Sequence, residues 1–151
     1  MRERTALDKT DIRILEVLLS SSRLSYRQIG KRVGVSAATA MARTKKLEQD
    51  GVIKRYSTVL DHERLGYELT AITEITVSKG KLLEMEEEIA KLPCVCAVYD
   101  ITGLTDAVIV AKFKNRQDLS SFTKSLLMMP FIERTNTHVV LTTVKEDFRL
   151  V

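Results

Sequence analysis

Residues 25–51 read SYRQIGKRVGVSAATAMARTKKLEQDG, and the stretch divides into two short helices on either side of a tight turn. Ser25 predicts an N-cap with Gln28 reaching back to it, and Ile29 and Val33 give the first helix one apolar face. Gly34 supplies the left-handed residue that stops this helix, Val35 packs inward, and Ser36 caps a second helix running to about Asp50, where Gly51 ends it. In that second helix Ala37, Ala40, Thr44 and Leu47 share one side, while Ala38, Thr39, Ala42, Lys45, Lys46 and Gln49 share the other. A small inner side suits a close helix crossing and a cationic outer side suits a polyanion, which together make the pattern of a helix-turn-helix. The plainer alternative is a helical hairpin with a solvated basic face.

Charge distribution favours the first reading. Residues 1–60 hold 13 Lys and Arg against 6 Asp and Glu, net +7, and residues 61–151 hold 11 against 14, net −3, which sum to the +4 of the chain. A basic first part joined to a mildly acidic remainder points to a nucleic-acid-binding module carried on a different domain. The 151 residues, 44% of them hydrophobic, suffice for one domain or two small ones. There is no apolar run near the roughly 20 residues of a membrane span and no signal-peptide core in MRERTALDKTD, so no membrane partner and a cytoplasmic location are expected. Cys94 and Cys96 fall in a predicted strand without a second Cys or His pair at zinc spacing; they read as buried reduced thiols, and no metal or cofactor is expected.

Ahead of the helix pair, Asp8 caps a helix from Lys9 to Leu19, with Ile12, Leu15 and Leu19 in one apolar row and Ile14 with Leu18 in the next. After Gly51, VIKRYSTVL is rich in β-branched residues and predicts a strand leading away from the helices. The remainder alternates strand and helix. Glu68–Ser78 alternates apolar residues as a strand does; Leu82–Leu92 carries Leu82, Met85, Ile89 and Leu92 at helical spacing, with Pro93 ending it. Val95–Thr102 and Asp106–Phe113 form a hairpin around Gly103, Leu104 and Thr105. Asn115 caps a helix whose buried face is Leu119, Phe122 and Leu126, Pro130 breaks it, and a last strand covers Ile132–Val144. Strand, helix, strand, strand, helix, strand is the split βαβ order, an antiparallel sheet with both helices on one face. Aliphatic residues on both sets of alternating positions require cover for the other face, most simply a partner subunit.

The chain as a whole resembles the Lrp/AsnC family of feast/famine transcription regulators. The resemblance rests on LDKTDIRIL at 7–15, VGVS at 33–36, RTKKLEQDGVI at 43–53, LGY at 65–67, TGLTD at 102–106 and ERTNTHVVL at 133–141. The fold expected is α+β: an N-terminal winged-type helix-turn-helix of three helices at residues 1–52, a linking strand and connector at 53–66, and a ferredoxin-like βαββαβ domain at 67–151. The resemblance implies double-stranded DNA as partner, an amino acid as small-molecule effector, and self-assembly into dimers and often octamers.

Placed on these elements, Ala38, Thr39, Ala42 and Lys46, with Met41 and Lys45 at the margins and Ser36 at the cap, face a major groove. Tyr26, Arg27, Arg43, Lys54 and Arg55 meet phosphates. Bidentate base contacts need Arg, Lys, Asn or Gln aimed at a base edge, and an alanine-rich face implies sparse base readout supplemented by DNA bendability. An architectural, DNA-compacting role without an effector fits the same face.

For the effector, the resemblance implies a pocket between neighbouring dimers mapping onto Gly103, Leu104, Asp106, Thr135 and Thr137, with Tyr99 nearby. A carboxylate such as Asp106 suits an α-ammonium, and hydroxyls suit an α-carboxylate. From the residues alone, Asp106 is equally a cap for the hairpin and the threonines exposed strand residues. The family commonly places a polar or acidic residue and then an aromatic one between that glycine and aspartate; here Leu104 and Thr105 stand there. Some proteins resembling this family are decarboxylases of haem biosynthesis. His62 and His138 are lone histidines, however, with no adjacent nucleophile, glycine-rich phosphate loop or metal cluster, so no catalytic residue is expected.

Overall fold

Asp8 starts the first helix, α1 (Lys9–Ser20): its carboxylate accepts the N–H groups of Thr10 and Asp11, and the Asp11 side chain accepts the Asp8 N–H in return. Ser25 and Gln28 exchange the same bonds at the start of α2 (Tyr26–Val33), which ends on Gly34 at φ 84°, a conformation that favours a residue without Cβ. Ser36 caps α3 (Ala37–Gln49) through the Thr39 N–H. The three helices close over Ile14, Leu18, Ile29, Val33, Ala40 and Leu47. Thr44 is also buried, its hydroxyl donating to the Ala40 carbonyl at 2.8 Å. Ala37, expected on the inner side, is exposed. Helical side chains lean toward the N-terminus, so the first residue of a helix leans off its end into solvent.

The computed structural model describes residues 6–78 and 80–151, in two units: the described residues through Val59 with Glu146–Val151, and Leu60–Lys145. The second unit holds β1 (Leu69–Val77), α4 (Leu82–Ile89), β2 (Val95–Asp100), β3 (Ala107–Phe113), α5 (Arg116–Met128) and β4 (Ile132–Val139). The strands pair antiparallel in the order β2-β3-β1-β4, the ferredoxin-like arrangement expected. Ala71, Ile75 and Val77 of β1 and Ala107, Ile109, Ala111 and Phe113 of β3 form one face, closed by Met85 and Ile89 of α4 and Phe122 and Leu126 of α5. The opposite face carries Ile72, Val108 and Val110, all partly accessible to solvent in the single chain.

Four expectations need correction. Residues 52–60 form no strand: their β-branched residues favour an extended chain, but a ladder needs a second strand and none of the described residues supplies one, leaving Tyr56, Val59 and Leu60 exposed. The last strand stops at Val139 rather than Val144, because β1 runs out; Ala71 lies opposite Val139, and the Val140 N–H already bonds Thr70. Helix α4 stops at Ile89, and Leu92 reaches the core from a turn instead of from the helix. Finally, the thiols are not buried as expected: Cys94 is half-buried and Cys96, on the edge strand β2, is exposed.

Candidate nucleic-acid interface and effector site

The turn between α2 and α3 is tied to one residue. The Gly30 carbonyl accepts the Gly34 N–H at 2.8 Å and the Val35 N–H at 2.9 Å. A Cβ on Gly30 would stand 2.6 Å from the Val35 carbonyl oxygen, so only glycine lets α2 approach the start of α3 this closely. On α3 the outward residues Ala38, Thr39, Ala42, Lys45 and Lys46 are exposed, and so is Ser36. The Ser36 hydroxyl oxygen accepts the Thr39 N–H at 3.0 Å and is paired with the Thr39 hydroxyl at 2.9 Å. The one short polar side chain at the front of this face is therefore engaged in the cap. Ala38 and Ala42 offer methyl groups, which suit thymine methyls and little else in a major groove.

The residues expected at phosphates do not behave alike. Arg27, Lys54 and Arg55 are exposed, while Tyr26 is half-buried against the helical core. The Arg43 guanidinium donates to Asp8 and, at 2.9 Å, to Asp11, binding α3 to the first turn of α1. The Asp11 N–H, and after it Arg43, hold the Asp8 carboxyl below its ordinary range. Arg43 is thus an internal brace as much as a surface cation. The sequence reading passed over Tyr56, whose hydroxyl donates to Glu48 at 2.7 Å and so ties the segment carrying Lys54 and Arg55 to the end of α3. Burial first, and then Glu48, push its phenol above the ordinary range. No periodicity marks this pair, which joins a helix to an irregular segment.

In the second unit the hairpin turn leaves Leu104 fully exposed beside Gly103. The Asp106 carboxylate accepts the Val77 N–H at 2.7 Å and its own N–H donates to Ile75 at 2.9 Å, so this residue fastens the turn to the end of β1. On β4, Thr135 lies opposite Ile75, and Thr137 lies opposite Thr73 with the two hydroxyls 3.0 Å apart. Opposite residues in an antiparallel pair share a face, so both threonines lie on the helix side. Tyr99 lies opposite Val108 on the other side, on the edge strand farthest from β4. One chain thus gathers Gly103, Leu104, Asp106 and Thr135 toward one end of the sheet, and leaves Tyr99 on the opposite face.

The histidines are engaged elsewhere: the His62 ring meets Tyr67 edge-on at 5.8 Å between centroids, and His138 Nε2 sits 2.9 Å from the Asn136 amide. Among the described residues no group of three or more His, Cys, Asp or Glu is placed to hold a metal, and no helix is long and apolar enough to cross a membrane.

Comparison with known proteins agrees with this division. Residues 7–54 match the winged helix-turn-helix DNA-binding model, and residues 70–150 match the Lrp/AsnC ligand binding domain. The chain is 48% identical over 144 residues to an HTH-type transcriptional regulator of Pyrococcus abyssi, covering 95% of this chain and 98% of that protein. It is 35% identical over 147 residues to the HTH-type transcriptional regulator FL11 of Pyrococcus horikoshii, covering 97% of each. Among solved structures, a transcriptional regulator of Neisseria meningitidis in complex with L-Met superposes with a TM-score of 0.89 at 30% identity, over 97% of both chains.

Proposed function

The chain belongs to the Lrp/AsnC family and is a transcriptional regulator with a DNA-binding helix-turn-helix and a ligand-binding domain; from that premise we propose that it acts as an oligomer whose DNA affinity is set by an amino acid or a closely related effector. In this reading residues 1–52 bind DNA, 53–66 link, and 67–151 sense and assemble, in the cytoplasm and without catalysis. The observation that supports it most is the exposed set Arg27, Lys45, Lys46, Lys54 and Arg55, on and beside α3, in a first part of net charge +7 over residues 1–60. These cations neutralise phosphates, and α3 enters the major groove.

The effector arrangement follows from what one chain leaves open. Asp106 has one oxygen on Val77 and keeps lone pairs for an α-ammonium, while the N–H groups of the turn and the Thr135 hydroxyl suit an α-carboxylate. A second subunit covers the face bearing Ile72, Val108 and Val110, and brings the residues that close the pocket. That the solved Neisseria relative holds L-Met makes methionine the first amino acid to test.

The test is footprinting and fluorescence anisotropy on genomic fragments with each of the twenty amino acids, beside light scattering. A few phased half-sites whose occupancy changes with one amino acid support the reading. The alanine-rich outer face favours one alternative, an architectural protein, and uniform coverage of every fragment with no amino-acid response selects it.

A further inference from the structure

The last turn of α3 holds the chain that follows it at two neighbouring residues. The Leu47 carbonyl accepts the Val52 N–H at 2.9 Å and the Ile53 N–H at 3.0 Å, and the Glu48 carboxylate accepts the Tyr56 hydroxyl at 2.7 Å. Lys54 and Arg55, both exposed, are the residues between these anchors. Residues 54–60 belong to no helix or strand, so no ladder fixes this stretch. Met41, Lys45 and Glu48 recur at helical spacing and share one margin of the outward side of α3. The Tyr56 tie therefore lays the two cations beside that margin. Glu48 is exposed and Tyr56 is 48% exposed, and a hydrogen bond so open to water adds little to folding stability. Its acceptor is also unusual: the acid takes a neutral hydroxyl, while among the described residues neither Lys54 nor Arg55 enters an ion pair. Both cations keep their charge for another anion.

We propose that Tyr56 is a positioning residue for DNA binding: bonded to Glu48, it holds Lys54 and Arg55 where they meet the phosphates beside the groove that α3 enters. This rests on the assignment of Lys54 and Arg55 to phosphates and gives it a mechanism. The segment is ordered on folding, so less ordering remains to oppose binding. The salt dependence separates this role from a direct contact. Tyrosine is neutral, so a hydrogen bond from its hydroxyl to DNA adds affinity without releasing counterions, whereas placing cations on phosphates changes how many counterions are released.

The test is fluorescence anisotropy of the full chain on one DNA duplex over a range of salt. Tyr56→Phe is compared with the parent, and then added to Glu48→Ala and to the double variant Lys54→Ala/Arg55→Ala. In the parent background Tyr56→Phe keeps the ring and is expected to weaken binding by about three- to tenfold, the worth of one hydrogen bond. It is also expected to flatten the plot of log affinity against log salt by about one unit, although it removes no charge. Once Glu48 or both cations are alanine, it is expected to change nothing further. An unchanged slope in Tyr56→Phe, or a loss that persists in either background, overturns the proposal while leaving Lys54 and Arg55 at phosphates. A double variant Lys54→Ala/Arg55→Ala that binds with the parent's affinity and slope removes the phosphate assignment, and the positioning role with it.

Discussion

Gly30→Ala tests how the helix-turn-helix is held together. Alanine in place of glycine inside α2 gains about 1 kcal/mol of helix propensity. Against this, the new methyl stands 2.6 Å from the Val35 carbonyl oxygen and 3.1 Å from that of Ser36, where ordinary contact begins near 3.4 Å. Both obstacles are main chain, so no rotamer relieves them, and overpacking of this kind costs about 1–3 kcal/mol or more. The turn cannot retreat by itself, because the Gly34 and Val35 N–H groups are anchored on Gly30. Relief therefore moves the start of α3 by several tenths of an ångström and loosens both hydrogen bonds. The net expectation is a loss of about 1–2 kcal/mol, or about 4–16 °C in the melting of a unit of this size, with DNA affinity falling further than stability alone explains.

Gly34→Ala is the matched control. Gly34 has φ 84° and nothing within 4 Å of its would-be Cβ, so alanine there pays only left-handed backbone strain, about 1–2 kcal/mol, and leaves α3 in place. Calorimetry of both variants, with anisotropy on one DNA fragment below either melting point, separates the effects. Equal melting losses with DNA affinity reduced only in Gly30→Ala are expected. A Gly30→Ala protein that melts at or above the parent and binds DNA unchanged refutes the close-approach argument.

Lys46→Ala and Arg55→Ala are each expected to weaken binding on every DNA sequence and to flatten the plot of log affinity against log salt by about one unit; an unchanged slope in both removes them from the interface. Asp8 ionises below its ordinary value of 3.8, so its contribution is complete above that pH and is lost as pH falls through the lowered value. Asp8→Asn keeps the cap but loses the charge facing Arg43, so the stability gap between variant and parent measured by acid titration should narrow toward low pH; a gap that stays constant assigns the effect elsewhere. Asp106→Ala leaves the Val77 N–H without its acceptor and should cost about 1–3 kcal/mol in denaturant unfolding.

What the sequence discloses is what local chemistry determines. Asp8, Ser25, Ser36 and Asn115 announce their helices because each cap side chain accepts a backbone N–H within three residues of it. The alternation of Ala71, Thr73, Ile75 and Val77 discloses β1 because one face is buried and the other is not. Arg43 reads as a phosphate contact because a cation on the outer half of a helix looks the same whether it meets DNA or, as here, two carboxylates 35 and 32 residues upstream. Thr137 reads as a ligand for the same reason, its partner Thr73 being 64 residues away. Residues 52–60 mislead in the other direction: their composition states a preference for extended chain, and only a second strand turns that preference into a ladder.

These long-range pairings narrow how the proposed interface reads DNA. With Arg43 braced against α1 and the Thr39 hydroxyl held by Ser36, the groove-facing part of α3 has methyl groups at Ala38 and Ala42 and flexible ammoniums at Lys45 and Lys46. A lysine on a four-carbon stem is a point charge with rotatable donors and discriminates base edges less sharply than a planar guanidinium. Fixing the frame engages the Thr39 hydroxyl and one nitrogen of the Arg43 guanidinium. In the proposed function, discrimination then falls to thymine methyls, to the deformability of the duplex, and to the spacing that the proposed oligomer would impose on successive recognition helices. In the oligomer proposed above, specificity would follow the arrangement of the subunits, and an effector bound in the sheet domain would alter DNA choice without touching α3.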